Sequence, residues 1–347
     1  MLKLLLLGLL IHCTACTPDA STEAERLGRA STSSVLLHEV SLFDKPNGQV
    51  EGELSPGAIF SWTGQVSSKL LFRRIGNDTL LEPFLQVRLA DSSVHWVYAN
   101  PHNFNLALLP ENWSWKNRLR AILSPEQFRN YEHLMQQWEQ QDGALQLLLL
   151  FQFTRQLRDD LQLALSAYPL LPTADYDDVL PACIPYSENG RSAWWLDYNT
   201  WHQRAAAQSG AEAEAALFNF YAKRVYPPDG IEYGFPTWHF PVSQMQSHSL
   251  LGRGIHLQLL QELDSLELQY PFVRTEWERL RTDLLADIIA PETTYWEDLN
   301  AIDQELQQIQ STQWSALSAE WVGLISLHRE RLIHQGAAGN QFNYRNR

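Results

Sequence analysis

The sequence predicts a multidomain α+β protein: a small β-barrel followed by a mostly α-helical bundle domain. Three observations predict it. Between residues 35 and 100, short apolar clusters are punctuated by turn chemistry, as at Pro46-Asn47-Gly48 and Ser55-Pro56-Gly57. From 106 to 336 the apolar residues recur instead at three- and four-residue spacing, the period of helices that bury one face. The chain has 347 residues, 45% of them hydrophobic, which is enough for a second core beyond that of a small barrel.

Residues 1–15 read as an export signal. Lys3, the apolar run Leu4 to Ile11, and Thr14 with Ala15 supply its positive, hydrophobic and small-residue parts. The run falls short of the roughly 20 apolar residues that cross a bilayer as a helix. Cys16 follows directly, and this arrangement resembles the bacterial lipoprotein signal, with Cys13 where that family usually carries Leu. The resemblance implies acylation of Cys16 by palmitate-like chains and a membrane anchor, each buried methylene contributing about 0.8 kcal/mol. Within that resemblance, Thr17 rather than Asp after the cysteine implies export to the outer membrane of a cell envelope. Ordinary cleavage that leaves Cys16 as a thiol is the competing reading. Residues 16–34 are small and polar and are expected to form a flexible tether.

A net charge of -14 repels phosphate backbones, so nucleic acid is excluded as a partner. Beyond the leader only Cys16 and Cys183 remain, too few for a disulfide framework. Packing must carry stability instead, and 13 Trp, 12 Tyr and 14 Phe supply the area.

Within 35–100, Leu85, Val87 and Leu89 alternate with Gln86 and Arg88, while Val94, Trp96 and Tyr98 lie two apart. Five or six strands are expected. "LFDKPNGQVEGELSPGAIFSW" with "EPFLQVRLADSSVHWVYA" resembles the bacterial SH3 domain family. Leu54 and Gly57 match its middle turn, Phe84 and Val87 its penultimate strand, and Trp96 with Val97 its closing strand. Phe84 replaces the usual Trp, and His95 replaces the usual Gly. The resemblance implies an SH3-like barrel that binds cell-wall peptides or glycans, or serves only as a spacer. Trp62, Trp96 and Tyr98 are the ligand-binding candidates there, with packing inside the barrel as the alternative.

The helical domain, 106–336, opens clearly at Ser124-Pro125-Glu126-Gln127, a capping box with Pro at the first helical position. Phe128, Tyr131, Met135 and Trp138 share its apolar face, and Gly143 ends the helix. A broadly apolar helix follows and stops before Pro169, with Gln146, Gln152 and Arg155 arguing against a membrane span. Ser209 to Glu212 reads as a second capping box, and Thr294 with Glu297 as a third. The later stripes are Ile255, Leu259, Leu263, Leu266; then Leu280, Leu284, Ile288. Leu299, Ile302, Leu306, Ile309 come next, and then Trp314, Leu317, Trp321, Leu324, His328. An antiparallel bundle is the expected outcome. The tail, 337–347, is expected to be disordered.

An aromatic-rich irregular insertion, about 171–254, interrupts the helices. Asn189-Gly190 signals a hairpin. Trp194, Trp195 and Trp238 are ligand-binding candidates for a groove, with packing against the helices as the alternative. Cys183 lacks a helix start or papain-like motif to activate it. His239, His248 and His256 lack close metal-ligand spacing, Asp177 and Asp178 are one acidic pair among 40 acidic residues, and no Gly-x-Ser-x-Gly motif occurs. No catalytic residue, metal or cofactor is therefore expected. The expected function is a membrane-anchored envelope lipoprotein that binds or scaffolds peptidoglycan or an envelope protein. The alternative is a cell-wall-modifying hydrolase that uses the barrel for targeting.

Overall fold

The computed structural model describes residues 36–75, 78–109, 113–140, 144–168, 179–188, 191–232, 235–243, 246–289 and 294–335. The signal, Cys16, the tether, Gly143, Asp177, Asp178, the Asn189-Gly190 turn and the tail lie outside the described residues. The protein is a mixed α+β chain in two compact units. The first takes the chain up to Asn130 and again Ala167–Asp175, and the second takes Tyr131–Ser166 and again the chain from Tyr176.

Seven strands build the first unit: β1 Val40–Phe43, β2 Val50–Leu54, β3 Phe60–Val66, β4 Leu71–Ile75, β5 Asp78–Glu82, β6 Phe84–Leu89 and β7 Val94–Tyr98. Five form an antiparallel sheet in the order β2-β1-β7-β6-β3, while β4 and β5 pair as a separate hairpin. The expected barrel is therefore, among the described residues, an open sheet with β2 and β3 at its edges. Both faces of the sheet are packed, and the period-two alternation of side chains decides what goes where. Val40, Leu42, Leu85, Val87 and Val97 enter one core with Leu54, Phe60, Phe104 and Trp113. Phe43, Phe84 and Tyr98 enter a second core, against which Leu71 and Leu80 of the β4–β5 hairpin pack. On β7 Val97, at 1% exposure, enters the first core and Tyr98, at 5%, the second, while Val94, two residues before Trp96, is 39% exposed. Trp113 belongs to helix α1, Trp113–Ile122, so the first unit continues past the strands.

Helix α2, Pro125–Gln140, starts as expected. Ser124 N donates to Gln127 Oε1 at 3.0 Å, and Gln127 N donates to Ser124 Oγ at 3.2 Å, so each side chain satisfies an otherwise orphaned backbone donor. Helix α3, Ala144–Leu165, precedes the hairpin of β8, Cys183–Glu188, and β9, Arg191–Leu196. Their Glu188–Arg191 pairing meets the hairpin expectation. Helices α4, Tyr198–Ala206, and α5, Glu212–Phe220, follow. The chain then forms a second hairpin, β10 His239–Ser243 with β11 Gln246–Ser249. The last helices are α6 Ile255–Gln269, α7 Arg274–Ile289, α8 Leu299–Ser311 and α9 Ala319–Gln335.

Two expected capping boxes are corrected. Helix α5 has Ala211 at its cap, without a side-chain bond, after Gly210 at φ 83°. Helix α8 is capped by Asp298, whose carboxylate accepts from Ala301 N at 2.9 Å, and not by Thr294. Trp314 and Leu317 precede α9, and its buried stripe is Ile325, His328 and Leu332; Leu324 is 39% exposed. Among the described residues no helix is long and apolar enough to cross a membrane.

Candidate functional site

The first unit carries a pocket of about 320 Å³ lined by Glu39, Ser41, Phe43, Arg73, Arg74, Tyr98, Asn100 and Asn103, with Val40. Strand alternation places Leu71 and Arg73 on the same side of β4, so Arg73 lies with the second core. Its guanidinium carbon stands 4.4 Å from the Phe43 ring centroid, 5.1 Å from Phe84 and 5.5 Å from Tyr98. Such aromatic faces attract a cation and hold it while its planar donors stay available. Neither Arg73 nor Arg74 is in an ion pair among the described residues. Asn100 and Asn103 are joined side chain to side chain at 3.2 Å, and Glu39 accepts from Ser55 Oγ at 3.2 Å. Arginine donors flanked by amides suit a carboxylate or phosphate oxygen.

Tyr98 holds this wall in place. Its hydroxyl lies 2.9 Å from both the Leu71 and the Leu80 carbonyl oxygens, to which it donates, and it accepts from Glu82 N at 3.1 Å. Burial pushes its pKa up to about 12. Its ring is 5% exposed, so this candidate residue is a packing and hydrogen-bonding strut that borders the pocket. Trp62 is half-buried against Phe60, Phe104 and Trp113. Trp96, also half-buried, packs on the second core. In the second unit Trp194 is 1% and Trp238 6% exposed, which turns both from groove candidates into core. Trp195 is half-buried beside Tyr186. Trp96 and Tyr98 thus share the second core of the first unit, while the ring partners of Trp62 lie in the first core.

The second unit holds a polar cluster that the sequence pattern did not reveal. In the β10–β11 hairpin His239 lies opposite Ser249, Phe240 opposite His248, and Pro241 opposite Ser247. Alternation then puts His239, Ser247 and Ser249 on one face and Phe240 with His248 on the other. The second face packs on Trp296, whose ring centroid is 3.9 Å from that of Phe240 and 6.0 Å from that of His248. His248 Nδ1 also pairs with Thr294 Oγ1 at 2.7 Å, and burial lowers its pKa.

The first face meets Asp287 of α7. His239 Nε2 donates to Asp287 Oδ1 at 2.8 Å; Oδ2 accepts from His256 Nε2 at 2.8 Å and from Ser249 Oγ at 2.6 Å. Burial opposes the carboxylate, as does its place in the last turn of a helix, where the backbone dipole is negative. The hydrogen bonds from His239 and His256 outweigh the burial and hold the carboxyl well below its ordinary range. In the neutral ring, a proton on Nε2 leaves Nδ1 as the acceptor. Nδ1 of His239 then accepts from Ser247 Oγ at 2.8 Å. Nδ1 of His256 is buried without a partner, which suits a lone pair better than a second N–H.

Burial pushes the Cys183 thiol up to about 12, so its thiolate is scarce at neutral pH. Among the described residues no group of three His, Cys, Asp or Glu side chains is arranged to hold a metal ion. His239, His256 and Asp287 direct their polar atoms at one another. Comparisons of the chain with protein-family models, curated proteins and solved structures return no match.

Proposed function

We propose that this chain is a membrane-anchored lipoprotein of the cell envelope, tethered through Cys16. Its first unit acts as an SH3-like module that binds an anionic group on a cell-wall component or envelope protein, without chemistry at that site. The pocket lined by Arg73 and Arg74 carries this reading. In a chain of net charge -14, two guanidinium groups in no ion pair among the described residues, against the one carboxylate of Glu39 in the same lining, mark a local exception suited to an acidic ligand.

The test is retention of the mature full-length chain on purified peptidoglycan. Wild type is expected to be retained, and Arg73→Lys/Arg74→Ala is expected to bind about tenfold less, the scale of one lost charge-assisted hydrogen bond. Lysine at 73 keeps a charge on the aromatic wall and Arg74 is exposed, so the loss reads the two guanidinium groups of the pocket and not the fold. Equal retention of the two proteins removes the pocket from function. The anchor has its own measurement: palmitate fed to expressing cells is expected to label wild type and not Cys16→Ser, and an unlabelled wild type defeats the lipoprotein reading.

A further inference from the structure

We propose that Ser247, His239 and Asp287 form a nucleophile–base–acid chain that hydrolyses a carboxylic ester, an activity beyond the binding role of the first unit and independent of it. Three features carry it. Ser247 Oγ, His239 Nδ1, His239 Nε2 and Asp287 Oδ1 form an unbroken relay with both hydrogen bonds at 2.8 Å. Ser247 and His239 are both half-buried, His239 at 25%, whereas Asp287 is 9% exposed, so the carboxylate is the shielded end of the relay. The far end is fixed: Ser249 and His256 occupy the other carboxylate oxygen, and Ser249 Oγ in turn accepts from Leu251 N at 3.2 Å.

This is the order of groups in a serine hydrolase, with the two imidazole nitrogens exchanged between their partners. The chemistry is indifferent to that exchange, because either nitrogen can take a proton while the other is held by a carboxylate. Ser247 Oγ attacks the acyl carbon as its proton passes to His239 Nδ1. The bond from the acyl carbon to the alcohol oxygen breaks, and the imidazolium hands that proton to the departing alcohol. Water then attacks the acyl-serine, leaving its proton on His239 Nδ1. The carboxylic acid departs as that proton returns to Ser247 Oγ. Ester and water give acid and alcohol, and the protein ends as it began. An ester is the class assigned because alcohols leave more readily than amines.

The experiment incubates the full mature chain with a fluorophosphonate, which phosphonylates activated serines, and maps the adduct by mass spectrometry; p-nitrophenyl acetate gives the turnover. The adduct is expected on Ser247, with ester turnover falling by at least about 100-fold in Ser247→Ala. Asp287→Asn frees the ring to take its other tautomer and is expected to slow phosphonylation of Ser247, a rate that a purely structural carboxylate would leave alone. The wild-type adduct needs no variant, so misfolding of either substitution does not protect the proposal. A native chain that takes no more label than the heat-denatured one overturns it, as does an adduct elsewhere or undiminished turnover in a folded Ser247→Ala.

Discussion

Buried carboxylates in this protein differ in what surrounds them, and their consequences differ in sign. Glu276, 2% exposed, is gripped by Arg155 at 2.7 and 3.1 Å and by Gln152 at 2.8 Å. Asp287 has its three donors. Glu214 in the first turn of α5 is fully buried, and neither of its oxygens is hydrogen-bonded to another residue among the described residues. Burial pushes its pKa up, so the fold disfavours its charged form at neutral pH. An unsatisfied buried polar group costs about 1–3 kcal/mol, and an apolar side chain of similar length removes that cost. Glu214→Met is therefore expected to raise unfolding stability by about that amount in urea titration at pH 7. A lowered midpoint would mean that the carboxyl is stabilising where it stands.

At the level of elements, the sequence could be read wherever one short segment carries its own instruction. Ser124 and Gln127 specify the start of α2 within four residues, and the Pro-Gly turns specify where strands end. Elsewhere the same local pattern was present but a different residue took the role. Thr294 and Glu297 fit a capping box, yet Thr294 is engaged by His248, and Asp298 caps α8 instead. Barrel closure is not a local property: it depends on whether edge strands β2 and β3 meet, and here the β4–β5 hairpin covers the second face of an open sheet. The Asp287 cluster was illegible for a related reason. Its members come from two strands and two helices, and only the pairing of Pro241 with Ser247 makes His239 and Ser247 neighbours. The one available signal was the alternation in "HFPVSQMQSHS", whose His239, Ser247 and Ser249 share parity; nothing nearby names Asp287.

For the whole molecule, acid acts through two opposing effects. Protonation lowers a net charge of -14 and relieves self-repulsion, which favours the folded state. Glu214, whose pKa burial raises, adds to that relief, whereas two buried histidines and Asp287 act the other way. Burial lowers the pKa of His248 and of His328, whose Nε2 meets the Tyr295 hydroxyl at 3.1 Å. Each therefore binds fewer protons folded than unfolded once pH drops below about 6.5, the unfolded value for histidine. Stability from such a group is complete above that pH and is lost as pH falls through it. Asp287, with its carboxyl also held down, behaves with the same sign in a lower window, below about pH 4. Surface repulsion is screened beyond about 8 Å at physiological salt, whereas the buried terms are not, so the buried terms dominate there. The melting temperature in 0.15 M salt is thus expected to fall between pH 7 and pH 5 and to fall again below pH 4. His328→Gln, which cannot titrate, is expected to shrink the first step to the part His248 supplies and to leave the second intact. In about 10 mM salt, where the Debye length reaches about 30 Å, relief of repulsion should flatten the first step in wild type as well. A melting temperature that rises from pH 7 to pH 5 in 0.15 M salt would show that surface repulsion, and not the buried histidines, sets the acid response.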